Sequence, residues 1–141
     1  MSESIQLEYT VPGNDFTRAG EASADLKSTL KRLGLPAAEV RRIAIALYEG
    51  EINLAIHAGG GQIRVTVDDH QVEMILTDQG PGIPDIPKAM EEGYSTASAQ
   101  VRSLGFGAGM GLPNMKRYTD EFDIQSTVGV GTTITMRVKI G

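Results

Sequence analysis

The stretch Asp78-Gln79-Gly80-Pro81-Gly82-Ile83 decides the fold of this 141-residue chain. Val72, Met74 and Leu76 are apolar and lie two residues apart, and Asp78 continues this series. Because alternate residues of a strand share one face, the carboxylate should point toward the buried face. A carboxylate on that face is costly unless it is hydrogen-bonded or paired. The sequence therefore predicts a polar partner or ligand for Asp78, with Asp-x-Gly turn chemistry as the alternative explanation.

A threonine repeats this pattern in the last predicted strand. Thr132 has the parity of the apolar residues between Ile134 and Ile140, so its hydroxyl is expected to point inward as well. Asp78 and Thr132 together could form a small polar floor that takes the amino edge of adenine, directly or through water. The β-propensity of threonine is the other explanation of Thr132.

Two polar residues interrupt the apolar stripe of a predicted helix. Glu49 and Asn53 are four residues apart and share one stripe with neighbouring isoleucines. Glu49 can serve as a general base or orient an attacking hydroxyl, and the amide oxygen of Asn53 can complete a Mg²⁺ shell made otherwise of phosphates and water. Glu51 and the Arg41-Arg42 pair fit an ordinary solvated face instead.

A glycine-rich run, Gly107-Ala108-Gly109-Met110-Gly111, directly precedes another predicted helix. Backbone without side chains can approach phosphate closely, and the first helical amides can point at it. A merely flexible loop is the alternative. Because no G-x-x-x-x-G-K-[ST] motif occurs, the phosphates cannot be cradled by a P-loop. Following the two polar motifs in chain order, the run indicates an ATP pocket built on glycines.

The composition sets bounds on the class of protein. A length of 141 residues with 40% hydrophobic residues predicts a single domain, residues 1–141, with one sizeable core. The net charge of −5 gives no basic footprint for nucleic acid. The absence of cysteine excludes disulfides and zinc thiolates, and no signal-like start or long apolar run is present. We expect a cytoplasmic protein without a membrane partner.

The predicted elements favour an α+β fold. Strands are predicted at residues 5–11, 62–67, 71–78, 122–126 and 132–140, and helices at about 15–33, 37–57 and 112–121, with a short helical piece at 87–92. Because hairpins dominate, the helices should pack on one face of a mixed, mostly antiparallel sheet, which makes a two-layer sandwich. The glycine-rich segment 81–110 is long enough to predict a functional lid.

These motifs together resemble the boxes of the GHKL superfamily of ATPases and kinases, whose domain is called the Bergerat fold. Residues 49–53 look like its N box, 78–83 its G1 box, 107–112 its G2 box and 131–132 its final Gly-Thr element. Each motif alone is weak evidence for this superfamily, but the four motifs in this order are specific. Together they cover the chain from about Val40 to the C-terminus.

Within that superfamily the chain is most similar to small serine/threonine kinases that regulate sigma factors by partner switching. The similarity rests on residues 78–86, 93–96 and 112–117. It implies that Glu49 is the catalytic base, that Asn53 holds Mg²⁺ and that Asp78 reads the adenine of ATP. The wider set of nucleotide contacts that it implies is Asn53, Asp78, Gly80, Gly82, Ile83, Gly105, Gly107, Gly109, Met110, Gly111, Leu112, Thr132 and Arg102.

The resemblance also implies partners. Such kinases phosphorylate a Ser or Thr of a STAS-domain protein, and some bind a sigma factor or activate a phosphatase.

No lysine is well placed near Ser95-Thr96, which leaves Arg102 or Lys88 for the γ-phosphate. The alternatives are an ATP-gated sequestering module with little catalysis and a histidine-kinase catalytic domain, against which the short segment before the second helix argues. A homodimer is left open.

Overall fold

The computed structural model describes residues 4–13, 18–91 and 111–140. Five strands and four helices lie within these residues. In chain order they are β1 (Ile5–Pro12), α1 (Glu21–Arg32), α2 (Ala37–His57), β2 (Gly60–Val67), β3 (Gln71–Asp78), α3 (Ile86–Ala89), α4 (Gly111–Arg117), β4 (Glu121–Thr127) and β5 (Gly131–Lys139).

The strands form one sheet in the order β1-β2-β3-β5-β4. Every neighbouring pair among them is antiparallel, so the predicted α+β class is confirmed and the described sheet has no parallel pair. Helix α2 contacts β1, β2, β3 and β5, and it also packs against α1 and α4. The helices therefore form the second layer on one face of the sheet, as predicted.

Alternation along the strands produces the core. In β3 the residues Val72, Met74 and Leu76 are buried while their neighbours are not, and β5 shows the same pattern. On α2, the apolar residues Val40 and Leu54 are each 2% exposed. Burial of this many aliphatic side chains against one another is the main force holding the two layers together.

Gly50 brings α2 close to the sheet. A Cβ at this position would collide with the Leu76 side chain of β3. Since Gly50 lies next to Glu49 and three residues before Asn53, this close approach fixes both polar residues of α2 relative to the end of β3. Glu49 and Asn53 were predicted to share one stripe of α2 with neighbouring isoleucines, and both residues are half-buried, as Ile45 and Ile52 are.

One prediction on α2 is wrong. Glu51 was expected on a solvated face, but only 2% of it is exposed. Its carboxylate accepts hydrogen bonds from the backbone N–H groups of Gly20 (3.0 Å), Ala22 (3.1 Å) and Ser23 (2.6 Å) at the start of α1. The first N–H groups of a helix have no partner inside the helix and favour negative charge, so they stabilise a carboxylate that solvent cannot reach.

Several element boundaries differ from the predictions. Helix α1 begins at Glu21 rather than near residue 15, because Gly20 has φ 102°, outside helical conformation; residues 14–17 lie outside the described part of the chain. Strand β2 begins at Gly60, two residues before the predicted start at residue 62. The short helix predicted at 87–92 occupies Ile86–Ala89, where the Asp85 side chain accepts from the Lys88 N–H.

The last helix also ends earlier than predicted. It was expected to reach Glu121 but stops at Arg117, and Glu121 opens β4. After the helix, the Thr119 hydroxyl donates to the Met115 carbonyl at 2.7 Å, which competes with the helical backbone. Asp120 is then joined to β5, since its N–H donates to the Arg137 carbonyl and its carboxylate accepts from the Lys139 N–H.

None of the helices in the described residues is both long and apolar enough to cross a membrane.

Candidate active site

Asp78 ends β3 and lies opposite Thr132 of β5 in the sheet register. Its Oδ1 accepts hydrogen bonds from the backbone N–H groups of Gly80 (2.9 Å) and Thr132 (3.3 Å). Its Oδ2 accepts no hydrogen bond from a described residue. Among the described residues, the carboxylate is therefore held through Oδ1 alone.

A polar floor lies beside Asp78. Thr132 is 6% exposed, and its Oγ1 is 2.8 Å from the Oγ of Ser126 on β4. Ser126 Oγ also accepts from the Ile83 N–H at 2.7 Å and donates to the Gly131 carbonyl at 3.3 Å. Ser126 thus joins the 78–83 loop to the ends of β4 and β5.

Ser126 is a site residue that the sequence reasoning missed. It has the parity of Phe122 and Ile124, the apolar residues of β4, and it is paired with Thr132 in the register. The parity argument applied to Asp78 and Thr132 would have found it if it had been extended to β4.

The glycines of the 78–83 loop have a packing role. A Cβ on Gly80 would lie 2.9 Å from the backbone of Ala58, just after α2. Gly82 has φ +79°, and a Cβ there would lie 2.6 Å from the Thr127 carbonyl oxygen. Their lack of side chains therefore lets this loop press against both α2 and the β4–β5 turn, whatever contact they make with a ligand.

Glu49 is half-buried, and burial raises the pKa of its carboxyl above the ordinary value, while a hydrogen bond from the Asn114 side chain acts in the opposite direction. Asn114 also accepts from Arg117 Nη1 at 3.5 Å. Helix α4 begins beside Glu49, since a Cβ on Gly111 would lie 3.6 Å from Glu49 Oε2. Asn114, which sequence reasoning gave no role, therefore orients this carboxylate.

Asn53 lies one helical turn after Glu49 on α2. It is half-buried, and its amide makes no hydrogen bond with any described residue. Gly61 connects this end of α2 to Asp78, because a Cβ on Gly61 would lie 2.8 Å from Leu54 Cδ2 and 3.4 Å from Asp78 Cβ. The structure therefore places the C-terminal end of α2 beside the end of β3, where Asp78 lies.

These residues fit the ligands expected from the sequence. A carboxylate oxygen at Asp78 that accepts from no described residue suits an amino group. An amide oxygen at Asn53 that bonds to no described residue suits a hard cation that keeps most of its water. A half-buried carboxylate at Glu49 suits proton transfer.

The remaining predicted contacts are divided between described and undescribed residues. Leu112 is 8% exposed and packs in the core, and Ile83 is half-buried against it. Lys88 lies on α3. The other predicted contacts lie outside the described residues: Arg102, Gly105, Gly107, Gly109 and Met110. The expected lid falls mostly in the same undescribed segment, 92–110.

Comparison with known proteins identifies relatives over most of the chain. Residues 14–138 match the family model of the histidine kinase-like ATPase domain. The serine/threonine-protein kinase RsbT of Bacillus subtilis (strain 168) is 41% identical over 112 residues, which cover 77% of this chain and 78% of that protein. The anti-sigma F factor of the same organism is 31% identical over 144 residues, with 95% and 90% covered.

Solved structures show the same fold at lower identity. The RsbU and RsbW domains of a Mycobacterium tuberculosis protein match with a TM-score of 0.64 and 16% identity, over 99% of this chain and 33% of that longer chain. The mycobacterial sensor histidine kinase MprB matches with a TM-score of 0.54 and 17% identity, over 99% and 98%. Together with the sequence relatives, these matches show that the chain belongs to the histidine kinase-like ATPase domain family, in its branch of protein serine/threonine kinases and anti-sigma factors.

Proposed function

We propose that this protein transfers the γ-phosphoryl group of Mg²⁺-bound ATP to a Ser or Thr hydroxyl of a STAS-domain protein, and thereby regulates a sigma factor or a phosphatase. The observation that carries the proposal is Glu49. It is a half-buried carboxylate of raised pKa that is oriented by Asn114 and lies one turn before Asn53 on α2. A protein that only binds nucleotide needs no such base.

Each residue of the site has a distinct role in this proposal. Oδ2 of Asp78 accepts a hydrogen bond from the adenine amino group while Oδ1 stays bound to Gly80 and Thr132. The amide oxygen of Asn53 binds Mg²⁺, whose charge offsets that of the phosphates. Ser126 and Thr132 keep the floor of the adenine site in place. Catalysis then consists mainly of positioning and charge stabilisation.

Glu49 acts on the acceptor hydroxyl. As the hydroxyl oxygen bonds to the γ-phosphorus, the bond from that phosphorus to the bridging oxygen of ADP breaks, and the hydroxyl proton passes to Glu49. Burial makes the Glu49 carboxylate a stronger base than an exposed one, because it raises the pKa of the group. The active form is deprotonated, so the transfer rate should fall as the pH is lowered through this raised pKa.

Substitution of Glu49 is the test. In Glu49→Ala and Glu49→Gln we expect single-turnover phosphoryl transfer to a STAS-domain acceptor to fall about 10²- to 10⁴-fold, the usual contribution of a general base. Affinity for Mg-ATP, measured by calorimetry, should stay within a few fold of the wild-type value, because Glu49 does not contact the nucleotide. Glu39→Gln, at another half-buried glutamate, in the first turn of α2, is the matched control.

A second candidate is an ATP-gated module that sequesters its partner. It is favoured by the anti-sigma F factors, which align with as much as 96% of this chain. In that case the Glu49→Ala variant would bind its partner as tightly as the wild type does, and its rate of phosphoryl transfer would equal the wild-type rate. That result would remove the main support for Glu49 as a catalytic base.

A further inference from the structure

A groove of about 490 Å³ lies between α1 and the first half of α2. Three basic and five apolar residues line it: Lys27, Lys31, Arg41, Leu35, Ala37, Val40, Ala44 and Ile45.

The floor of this groove is apolar. Val40 is only 2% exposed, Leu35 packs partly buried against the core, and Ala44 and Ile45 are half-buried. A partner that covers this floor must therefore bring apolar side chains of its own, since burial of apolar surface is the available driving force.

The rim of the groove is cationic. Lys27 and Lys31 are four residues apart on the same face of α1, and Arg41 faces them from α2. All three are exposed, and none forms an ion pair with a residue in the described part of the chain. Arg42, by contrast, is paired with Asp120 at 3.1 Å. In a chain of net charge −5, this is a local positive surface that no carboxylate lines.

We propose that the α1–α2 groove docks an acidic amphipathic helix of a partner protein. The apolar face of such a helix would cover Val40, Ala44 and Ile45, and its Asp or Glu side chains would pair with the cationic rim. A small phosphorylated ligand fits less well, because the floor offers no buried donor that could replace the hydration of a phosphate.

The groove is also close to the active site in sequence and along α2. Ile45 lies one turn before Glu49 on the same helix. A helix docked in the groove therefore brings the adjoining part of its protein toward the candidate base. The inference concerns binding alone, and it stands whether or not Glu49 supports phosphoryl transfer.

A designed peptide tests the groove directly. The probe is a fluorescein-labelled 18-residue helical peptide with Leu at spacing i, i+3, i+4, i+7 and Glu on the flanking positions, titrated with the full-length protein and followed by anisotropy. We expect saturable binding that weakens as NaCl is raised, and amide NMR shifts that centre on residues 27–45. The same peptide with Lys in place of Glu should bind at least tenfold more weakly.

Variants separate the groove from general charge effects. Lys27→Gln/Lys31→Gln should weaken binding of the acidic peptide by more than about twofold and by up to about 30-fold, the loss expected for two exposed charge pairs. Arg64→Gln/Lys139→Gln makes the same change in net charge at exposed positions on the sheet and should leave the affinity within twofold. Thermal unfolding confirms that both variants are folded.

Three results would overturn the proposal. They are equal binding of the acidic and basic peptides, equal loss in the two double variants, and the absence of saturable binding. Displacement of the peptide by low-millimolar inorganic pyrophosphate, with NMR shifts at the same residues, would assign the groove to a small anion instead.

Discussion

The two carboxylate oxygens of Asp78 have different surroundings. Oδ1 is occupied by two backbone donors, and Oδ2 accepts from no described residue. An asparagine at this position can keep the first arrangement, because its amide oxygen accepts as the carboxylate oxygen does. It cannot accept a hydrogen bond at the position of Oδ2, because the amide nitrogen there is a donor.

We therefore predict that Asp78→Asn folds normally and loses ATP affinity. A charge-assisted hydrogen bond contributes about 1.5–3 kcal/mol, so the dissociation constant should rise roughly 10- to 150-fold. Calorimetric titration with Mg-ATP measures the change. Asp123→Asn, on the exposed side of β4, should bind like the wild type. Unchanged affinity in Asp78→Asn would contradict the assignment of the adenine site.

Glu49 should lower the stability of the protein at neutral pH. Its folded-state pKa is raised mainly by burial, so the folded protein binds the proton of Glu49 more tightly than the unfolded chain does. Ionisation of Glu49 therefore lowers the free energy of unfolding as the pH rises from the ordinary carboxyl pKa to the raised folded-state pKa. Above the folded-state pKa the loss is complete.

Glu49→Gln is accordingly predicted to raise the free energy of unfolding at pH 7. The gain should shrink as the pH falls and vanish below about pH 4, where the wild-type carboxyl is protonated in both states. Urea unfolding at several pH values measures it. A glutamine variant that is less stable than the wild type at pH 7 would show that burial is not the dominant influence on Glu49.

Period-two parity predicted the inward placement of Asp78 and Thr132 from the sequence. The same kind of argument failed at Glu51 because helical periodicity gives the face of a residue but not its partner. What buries Glu51 is the start of α1, about 30 residues earlier in the chain. Asn114 was missed for a similar reason, since its contact with Glu49 depends on how α4 packs against α2.

At the scale of elements, α1 is tied to α2 by one carboxylate. Glu51→Ala would leave the N–H groups of Gly20, Ala22 and Ser23 without their acceptor. Buried donors without a partner are costly, and water can replace only part of what is lost.

We predict that Glu51→Ala lowers the free energy of unfolding by about 2–5 kcal/mol. Denaturant unfolding measures the loss. Glu39→Ala, at a half-buried acidic residue in the first turn of α2 that makes no hydrogen bond with a described residue, should lower stability by no more than about 1 kcal/mol. A similar, small effect in both variants would mean that Glu51 does not hold α1 in place.

Element types were more predictable than element ends. The hydrophobic periods of 2 and 3.6 predicted the strands and the long helices, because burial on one side of each element creates them. The ends depend on contacts between distant residues. Asp120 illustrates this, since its bonds to Arg137 and Lys139 of β5 start the strand where local propensity predicted more helix.

At the scale of the whole molecule, the two layers share one core, and the candidate site lies where α2 meets the end of β3. A ligand that binds only the folded state stabilises the entire domain. At a concentration of 100 times its dissociation constant, Mg-ATP should raise the free energy of unfolding by about 2.7 kcal/mol.

Removal of Mg²⁺ tests the role of Asn53 through this stabilisation. In the wild type, replacing Mg²⁺ with EDTA should reduce the stabilisation by ATP. In Asn53→Ala the stabilisation by ATP should already be smaller when Mg²⁺ is present, and EDTA should reduce it less, because the variant lacks the proposed metal ligand. Thermal unfolding followed by circular dichroism measures both. An undiminished response to EDTA in Asn53→Ala would exclude Asn53 as that ligand.

The contact between Glu51 and α1 has a consequence for hydrogen exchange. Amides in the first turn of a helix usually exchange with solvent quickly, because the helix itself provides them with no acceptor. Here Gly20, Ala22 and Ser23 donate to a carboxylate that is almost wholly buried. These amides can exchange only when α1 separates from α2, so their deuterium uptake measures how often that separation occurs in the native protein.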